Sequence, residues 1–196
     1  MKNPHSLVQG NAEDIKKVLK DTAFRSHHLI VYPDLATLRN VYSHYINTAL
    51  NEKNEAVIIL PFFETTESAR RILGQSDIDV ADYEKQNSLI ITDSLKGYFG
   101  SPKGVKSLID QALEHAKTSG KNGVSAFGDM GSFFHKHNEN NSLIEHELSL
   151  PSEYEDGINL KTFCLYHKHE FDKRLSNEQK DRLLDHHGKN MIITTS

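Results

Sequence analysis

Uninterrupted runs of apolar, β-branched residues alternate along the chain with segments whose apolar positions recur every three or four residues. His28-Leu29-Ile30-Val31-Tyr32, Ala56-Val57-Ile58-Ile59-Leu60 and Ser88-Leu89-Ile90-Ile91-Thr92 are runs of the first kind, the pattern of strands covered on both faces. Pro33 and Pro61 close the first two, because proline cannot donate to a sheet ladder. Between them, Leu35, Leu38, Val41, Tyr42, Tyr45, Ile46 and Ala49 make one helical stripe, with Asp34 placed to cap it. The spacing predicts further helices through Ala69, Ile72 and Leu73, and along Val105, Leu108, Ile109, Ala112, Leu113 and Ala116 up to Gly120. Gly123-Val124-Ser125-Ala126-Phe127 predicts another strand, and two more fall at 160–166 and 190–195 around an amphipathic helix near 179–186. Leu143, Ile144 and Leu148 mark a helix; 78–86 reads as a short helix or loop; 97–102, 135–141 and 151–159 read as loops. A lead-in helix at 11–20 carries Ile15, Val18 and Leu19. Six strands interleaved with helices predict an α/β fold: three layers, a mostly parallel sheet flanked by helices.

Composition narrows the partners. The 196 residues suit one domain able to bury a sizeable core, and 37% hydrophobic with 26% charged residues is the balance of a folded chain. Twenty-three Lys+Arg against 27 Asp+Glu leave a net charge of −4, so no bulk basic field draws the chain to nucleic acid, and no direct nucleic-acid partner is expected. No run nears the roughly 20 apolar residues of a membrane helix, and MKNPHSLVQG lacks the apolar core of a signal peptide. No membrane partner and a cytoplasmic location are therefore expected. The sole cysteine, Cys164, lies in Thr162-Phe163-Cys164-Leu165-Tyr166 and reads as a small buried hydrophobe.

In a parallel α/β sheet, ligands bind beyond the carboxyl ends of the strands. The loop after the first strand reads Pro33-Asp34-Leu35-Ala36-Thr37-Leu38 and holds no glycine, whereas a phosphate cradle needs glycines so that backbone N–H groups can close on the anion. With neither a Walker A loop nor GxGxxG, an ATPase or a nicotinamide dehydrogenase is not expected. Ser125 and Ser132 flank Asp129 without a GxSxG elbow, which argues against a hydrolase.

The twelve histidines include His27-His28, His135-x-His137, His167-x-His169 and His186-His187, but no Cys cluster or HExxH accompanies them, so no metal is expected. Asp129 follows a strand and is either a ligand contact or a loop cap. Glu147 falls on the apolar side of its helix with Leu143 and Ile144, so it must be paired, hydrogen-bonded or protonated; a lysine or arginine partner is the structural alternative to a binding role. His28 and Tyr32 share a strand face, Tyr32 towards the carboxyl end and His28 as a structural hold on a carboxylate or carbonyl. Phe62-Phe63 and Phe133-Phe134 follow strands directly and are either pocket wall or core.

His28-Leu-Ile-Val-Tyr32, Gly128-Asp129-Met130, Glu145-His146-Glu147-Leu148, Cys164-Leu-Tyr166 and His187 before Met191-Ile192-Ile193 stand in the order and spacing of one family. Over roughly residues 27–195 the chain resembles the MEDS domains, sensory domains of methanogens and methylotrophs similar to the sensor part of a dichloromethane-responsive regulator. Each motif is short, and the set in order carries the likeness. Family members look like RecA/KaiC-type ATPases that kept the sheet and lost the P-loop, so the resemblance implies a RecA/KaiC-like fold without a Walker A loop, with Asp129 where such ATPases carry the Walker B acid. His146 where an aromatic is more usual, and the pair His186-His187 where one His is usual, are departures from the pattern.

The resemblance implies a non-catalytic small-molecule sensor of hydrocarbon-derived or other small organic ligands. Residues 1–26 are then an N-terminal helical extension and 27–196 the sensory domain. Tyr32, Asp129, Glu147 and His187 are expected as polar anchors, Phe62, Phe63 and Phe133 as the apolar wall, and Met130 beside Asp129. Asp129 and Glu147 are expected to face one cavity. No cofactor is expected. The expected partners are a small organic ligand, a second copy in a homodimer, and a signalling kinase or transcription regulator. The rival from another class is a degenerate KaiC-like scaffold that assembles without ligand.

Overall fold

The computed structural model describes residues 8–137 and 140–195; positions 1–7 of the expected extension and 138–139 of the expected loop lie outside the described residues. In chain order the elements are β1 (Val8–Gly10), α1 (Ala12–Lys20), β2 (Ser26–Tyr32), α2 (Leu35–Asn47), β3 (Ala56–Leu60), α3 (Thr66–Gly74), α4 (Val80–Lys85), β4 (Leu89–Ile91) and α5 (Ser94–Phe99). There follow α6 (Gly104–Thr118), β5 (Val124–Asp129), α7 (Gly131–His137), α8 (Asn140–Ser149), β6 (Leu160–His167), α9 (Lys168–Arg174), α10 (Asn177–His187) and β7 (Met191–Thr194). The strands form one sheet in the order β1-β7-β2-β6-β5-β3-β4. Every ladder is parallel, so the three-layer α/β expectation holds.

Local sequence explains most of the elements. Asp34 accepts from the Thr37 amide and starts α2, Asn11 caps α1 through two amides, and Ser176 with Gln179 completes a capping box on α10. Four features depart from the expectation. Three residues, Val8 to Gly10, make an extra strand, too short to show a pattern, whose register comes from β7. Residues 94–99 form a helix, capped by Asp93, where a loop was expected; Gly97 is there because a Cβ would meet Leu60 Cδ2 at 2.8 Å. Residues 131–137 are helical, and β5 runs on to Asp129.

Side-chain alternation divides the core. Ile30, Tyr32, Val57, Ile59, Phe127, Phe163 and Leu165 pack with Ile15 and Leu19 of α1, Val41 and Tyr42 of α2, and Ala69 and Leu73 of α3. On the other face, Leu29, Val31, Cys164 and Tyr166 pack with Phe133 and Phe134 of α7, Leu143 and Ile144 of α8, and Leu183 of α10. Ile58, Leu60 and Ala126 pack on the same side against Ala112 and Ala116 of α6. At the amino ends of the central strands Lys161 Nζ donates to Glu55 at 2.6 Å, and both residues are buried. Ser125 Oγ donates to the other Glu55 oxygen at 2.6 Å.

Candidate functional site

The expected anchors separate into two groups on opposite faces of the sheet. Asp129 extends β5 in phase with Phe127, so its carboxylate turns towards the α2 side, where Tyr32 Oη donates to it at 2.9 Å. The Gly131 amide donates to its other oxygen, also at 2.9 Å. Burial pushes the Asp129 pKa up to about 7, against the lowering effect of these two donors; burial and the neighbouring Asp129 push the Tyr32 hydroxyl far up. Phe62, Phe63 and Asp129 border a void of about 10 Å³, room for a water at most. Phe62 instead stacks on His135, with ring centroids 5.1 Å apart. Around Asp129, these side chains are packed on one another rather than arranged about an open cavity.

Glu147 comes from α8 on the opposite face, so the expectation that it shares a cavity with Asp129 is corrected: the phase of β5 and the side on which α8 packs place the sheet between them. Its partners are two imidazoles and a phenol. Glu147 Oε2 lies 3.2 Å from His27 Nε2 and 3.5 Å from His187 Nε2, and all three side chains are fully buried. Tyr166 Oη donates to Glu147 Oε1 at 2.5 Å. The two imidazoles approach at 3.3 Å, Nε2 to Nε2, and Cys164 Sγ lies 3.3 Å from His27 Nε2. Burial alone would raise the Glu147 pKa, but the closeness of the His187 and His27 imidazoles holds it well below the usual carboxylate range. Burial and the nearby Glu147 push the Cys164 thiol well up.

The alternation that exposes His27 to this cluster turns His28 away from it. His28 stacks on Phe163 at 5.3 Å, neither of its ring nitrogens has a side-chain or backbone partner in good geometry, and burial lowers its pKa to about 4. The structural hold expected of His28 therefore belongs to His27, one residue earlier and on the opposite face.

A cavity of about 710 Å³ opens on the same side as the Glu147 cluster, between α6 and the α5, α7 and α8 helices. Its aromatic wall is interlocked: Phe133 lies 4.9 Å from Phe99, 5.1 Å from Tyr98 and 4.9 Å from His146, centroid to centroid. Ile109, Leu113 and Leu150 supply aliphatic surface, and Lys103, Lys106, Lys136 and Asp110 are the charged residues of the lining. Tyr98, His146 and Tyr154 line it and also feel the Glu147 charge, which places the cluster close beneath its floor. Of the expected site residues, Phe133 lines this cavity. Met130 lies just below, accepting from Tyr98 Oη through its sulfur at 3.4 Å. A second groove of about 500 Å³ beyond α6 has no aromatic in its lining.

Sequence reasoning passed over Tyr98, Tyr154 and His27. The first two sit in stretches read as loops. His27 was visible only as half of a His pair, and its sequence signal was the alternation itself: it shares a face with Leu29 and Val31.

No curated protein matches the chain. Among solved structures, the uncharacterized protein PH0321 from Pyrococcus horikoshii, crystallised in complex with an unknown peptide, superposes with a TM-score of 0.61 at 13% identity. The match covers 89% of this chain and 79% of that one, a likeness that establishes the fold alone. No helix among the described residues is long and apolar enough to cross a membrane. The profile of one family spans residues 26–187, from the first residue of β2 to the last of α10, and so takes in the Glu147 cluster and the aromatic cavity alike: the chain belongs to the MEDS family, the methanogen/methylotroph, DcmR sensory domain.

Proposed function

We propose that this sensory domain binds a small organic molecule in the cavity between α6 and α8 and passes its occupancy on through a protein contact, without turning the ligand over. One observation carries this reading: a cavity of about 710 Å³ with a continuous aromatic and aliphatic wall and a few charged groups at its lining. That volume lies within the range of small-molecule sites, roughly 300–1,000 Å³, and the mixture of apolar wall with few polar groups is theirs as well. The fitting ligand has an apolar body against Phe133, Ile109 and Leu113 and an anionic or hydrogen-bond-accepting group towards Lys103 or Lys136. The receiving partner, a second copy of the chain or a separate kinase or regulator, follows from the sensory role.

The test is a thermal-shift screen of metabolites and hydrocarbon derivatives followed by calorimetry. A ligand at 100 times its Kd should stabilise the chain by about 2.7 kcal/mol. Leu113→Trp, which fills the cavity from α6, should abolish the shift, while Asp129→Asn on the far side of the sheet should leave it intact. A screen without any shift, from a chain that still assembles into oligomers, would overturn this reading in favour of the scaffold.

A further inference from the structure

We propose that His27, Glu147 and His187 form a binding site for one divalent transition metal of the Zn²⁺ class. Three elements converge on it: β2 brings His27, the last turn of α10 brings His187, and α8 brings Glu147. The ligating atoms of the first three lie within 4.8 Å of one another. Pairwise, Glu147 Oε2 to His27 Nε2 is 3.2 Å, Glu147 Oε2 to His187 Nε2 is 3.5 Å, and the two Nε2 atoms are 3.3 Å apart. Corners of a tetrahedron with metal bonds of about 2.05 Å are separated by roughly 3.3 Å. Cys164 Sγ lies 3.3 Å from His27 Nε2 but stands outside this group of three.

Lone pairs of these ligands face the centre of the group. His187 Nδ1 lies 2.8 Å from the Leu183 carbonyl, which can only accept, so Nδ1 carries the hydrogen and neutral His187 turns a lone pair at Nε2 towards the centre. Glu147 Oε2 contributes another lone pair. Although it is fully buried and 3.2 Å from His27, it has no hydrogen bond in acceptable geometry. An N–H at His27 Nε2 would face two acceptors, the carboxylate and the second imidazole. A cation at the centre accepts the lone pairs of both imidazoles and the carboxylate at once. Two of the three ligands have the outer hydrogen bonds that hold a metal ligand in place: the Leu183 carbonyl holds His187, and the Tyr166 hydroxyl holds the other Glu147 oxygen, while His27 is held by burial, its Nδ1 having no hydrogen-bond partner. Two imidazoles and a carboxylate suit Zn²⁺ better than the oxygen-seeking Ca²⁺ or Mg²⁺. The proposal departs from the expectation of no metal, which rested on the lack of a contiguous motif.

Since the site is sealed, loading accompanies folding, so the test refolds the full chain from guanidinium with chelator, then with Zn²⁺ or Co²⁺. The expected result is one equivalent of Zn²⁺ per chain and a raised melting temperature. With Co²⁺, visible ligand-field bands should appear that His187→Gln weakens. His27→Gln and His187→Gln should each weaken binding by about 100-fold or more, and His135→Ala, on the exposed side of α7, should leave it unchanged. The proposal is overturned if the wild-type chain refolds fully and takes up no stoichiometric metal. It is equally overturned if uptake survives both His27→Gln and His187→Gln, or disappears with His135→Ala. The wild-type stoichiometry decides the matter even where a variant does not fold.

Discussion

Asp129 is the residue at which burial and pH meet most directly. An ordinary aspartate titrates near 3.9, whereas burial in the fold moves this one to about 7. Between those values the folded chain holds a proton that the unfolded chain has released, so stability falls as pH rises through this window. Asp129→Asn copies the protonated form: its carbonyl can still accept from Gly131, and its amide can donate to Tyr32. Denaturant unfolding at pH 8 should therefore find Asp129→Asn more stable than the wild type by about 1–3 kcal/mol, a margin that shrinks towards pH 5. A wild-type advantage that persists at pH 8 would show that the aspartate is held as an anion by its two donors. Neither result should change ligand affinity, because the sheet separates Asp129 from the cavity.

At the scale of elements, a buried ion pair ties the amino ends of the central strands. Glu55 immediately precedes β3, Lys161 is in β6 and Ser125 in β5, and all three side chains are buried and joined. Lys161→Met leaves the Glu55 charge uncompensated, and unfolding measurements should show a loss of about 3–5 kcal/mol; adding Glu55→Gln should recover most of it. Packing between elements is equally tight at Gly128, where a Cβ would meet Tyr98 Oη at 1.9 Å. Gly128→Ala should push Tyr98 into the cavity, lowering stability by about 1–3 kcal/mol and weakening the cavity ligand more than Asp129→Asn does. Calorimetry on the two variants separates these effects.

For the whole molecule, the segment ahead of the family match is part of the core. Ile15 and Leu19 of α1 are fully buried against the α2 side of the sheet, and β1 extends the sheet beyond β7. A chain beginning at residue 26 should be less stable by about 3–6 kcal/mol, the worth of two buried aliphatic side chains at roughly 1.5–3 kcal/mol each. An unchanged unfolding midpoint would mark α1 as dispensable packing. If the sensory signal leaves through a second copy, light scattering should return about twice the 22.2 kDa of one chain.

Strand and helix periodicity by itself determined the layered α/β architecture, because apolar runs such as 56–60 and stripes such as 35–49 are local records of which faces are covered. It also singled out Glu147 as a carboxylate needing partners, since a charge on an apolar stripe must be compensated wherever it lands. Short elements escaped: β1 is three residues long and owes its existence to hydrogen bonds from β7, which lies at the other end of the chain. The site escaped for a related reason. His27, Glu147, Cys164 and His187 come from four elements spread over 160 positions, and no spacing rule links them. Strand phase decided that His27 rather than His28 joins Glu147, and that Asp129 does not; the side on which α8 and α10 pack decided where the imidazoles and the carboxylate meet. The cavity, too, is a gap between helices that belong to separate parts of the sequence, a shape that exists only once α6 and α8 are both docked on the sheet.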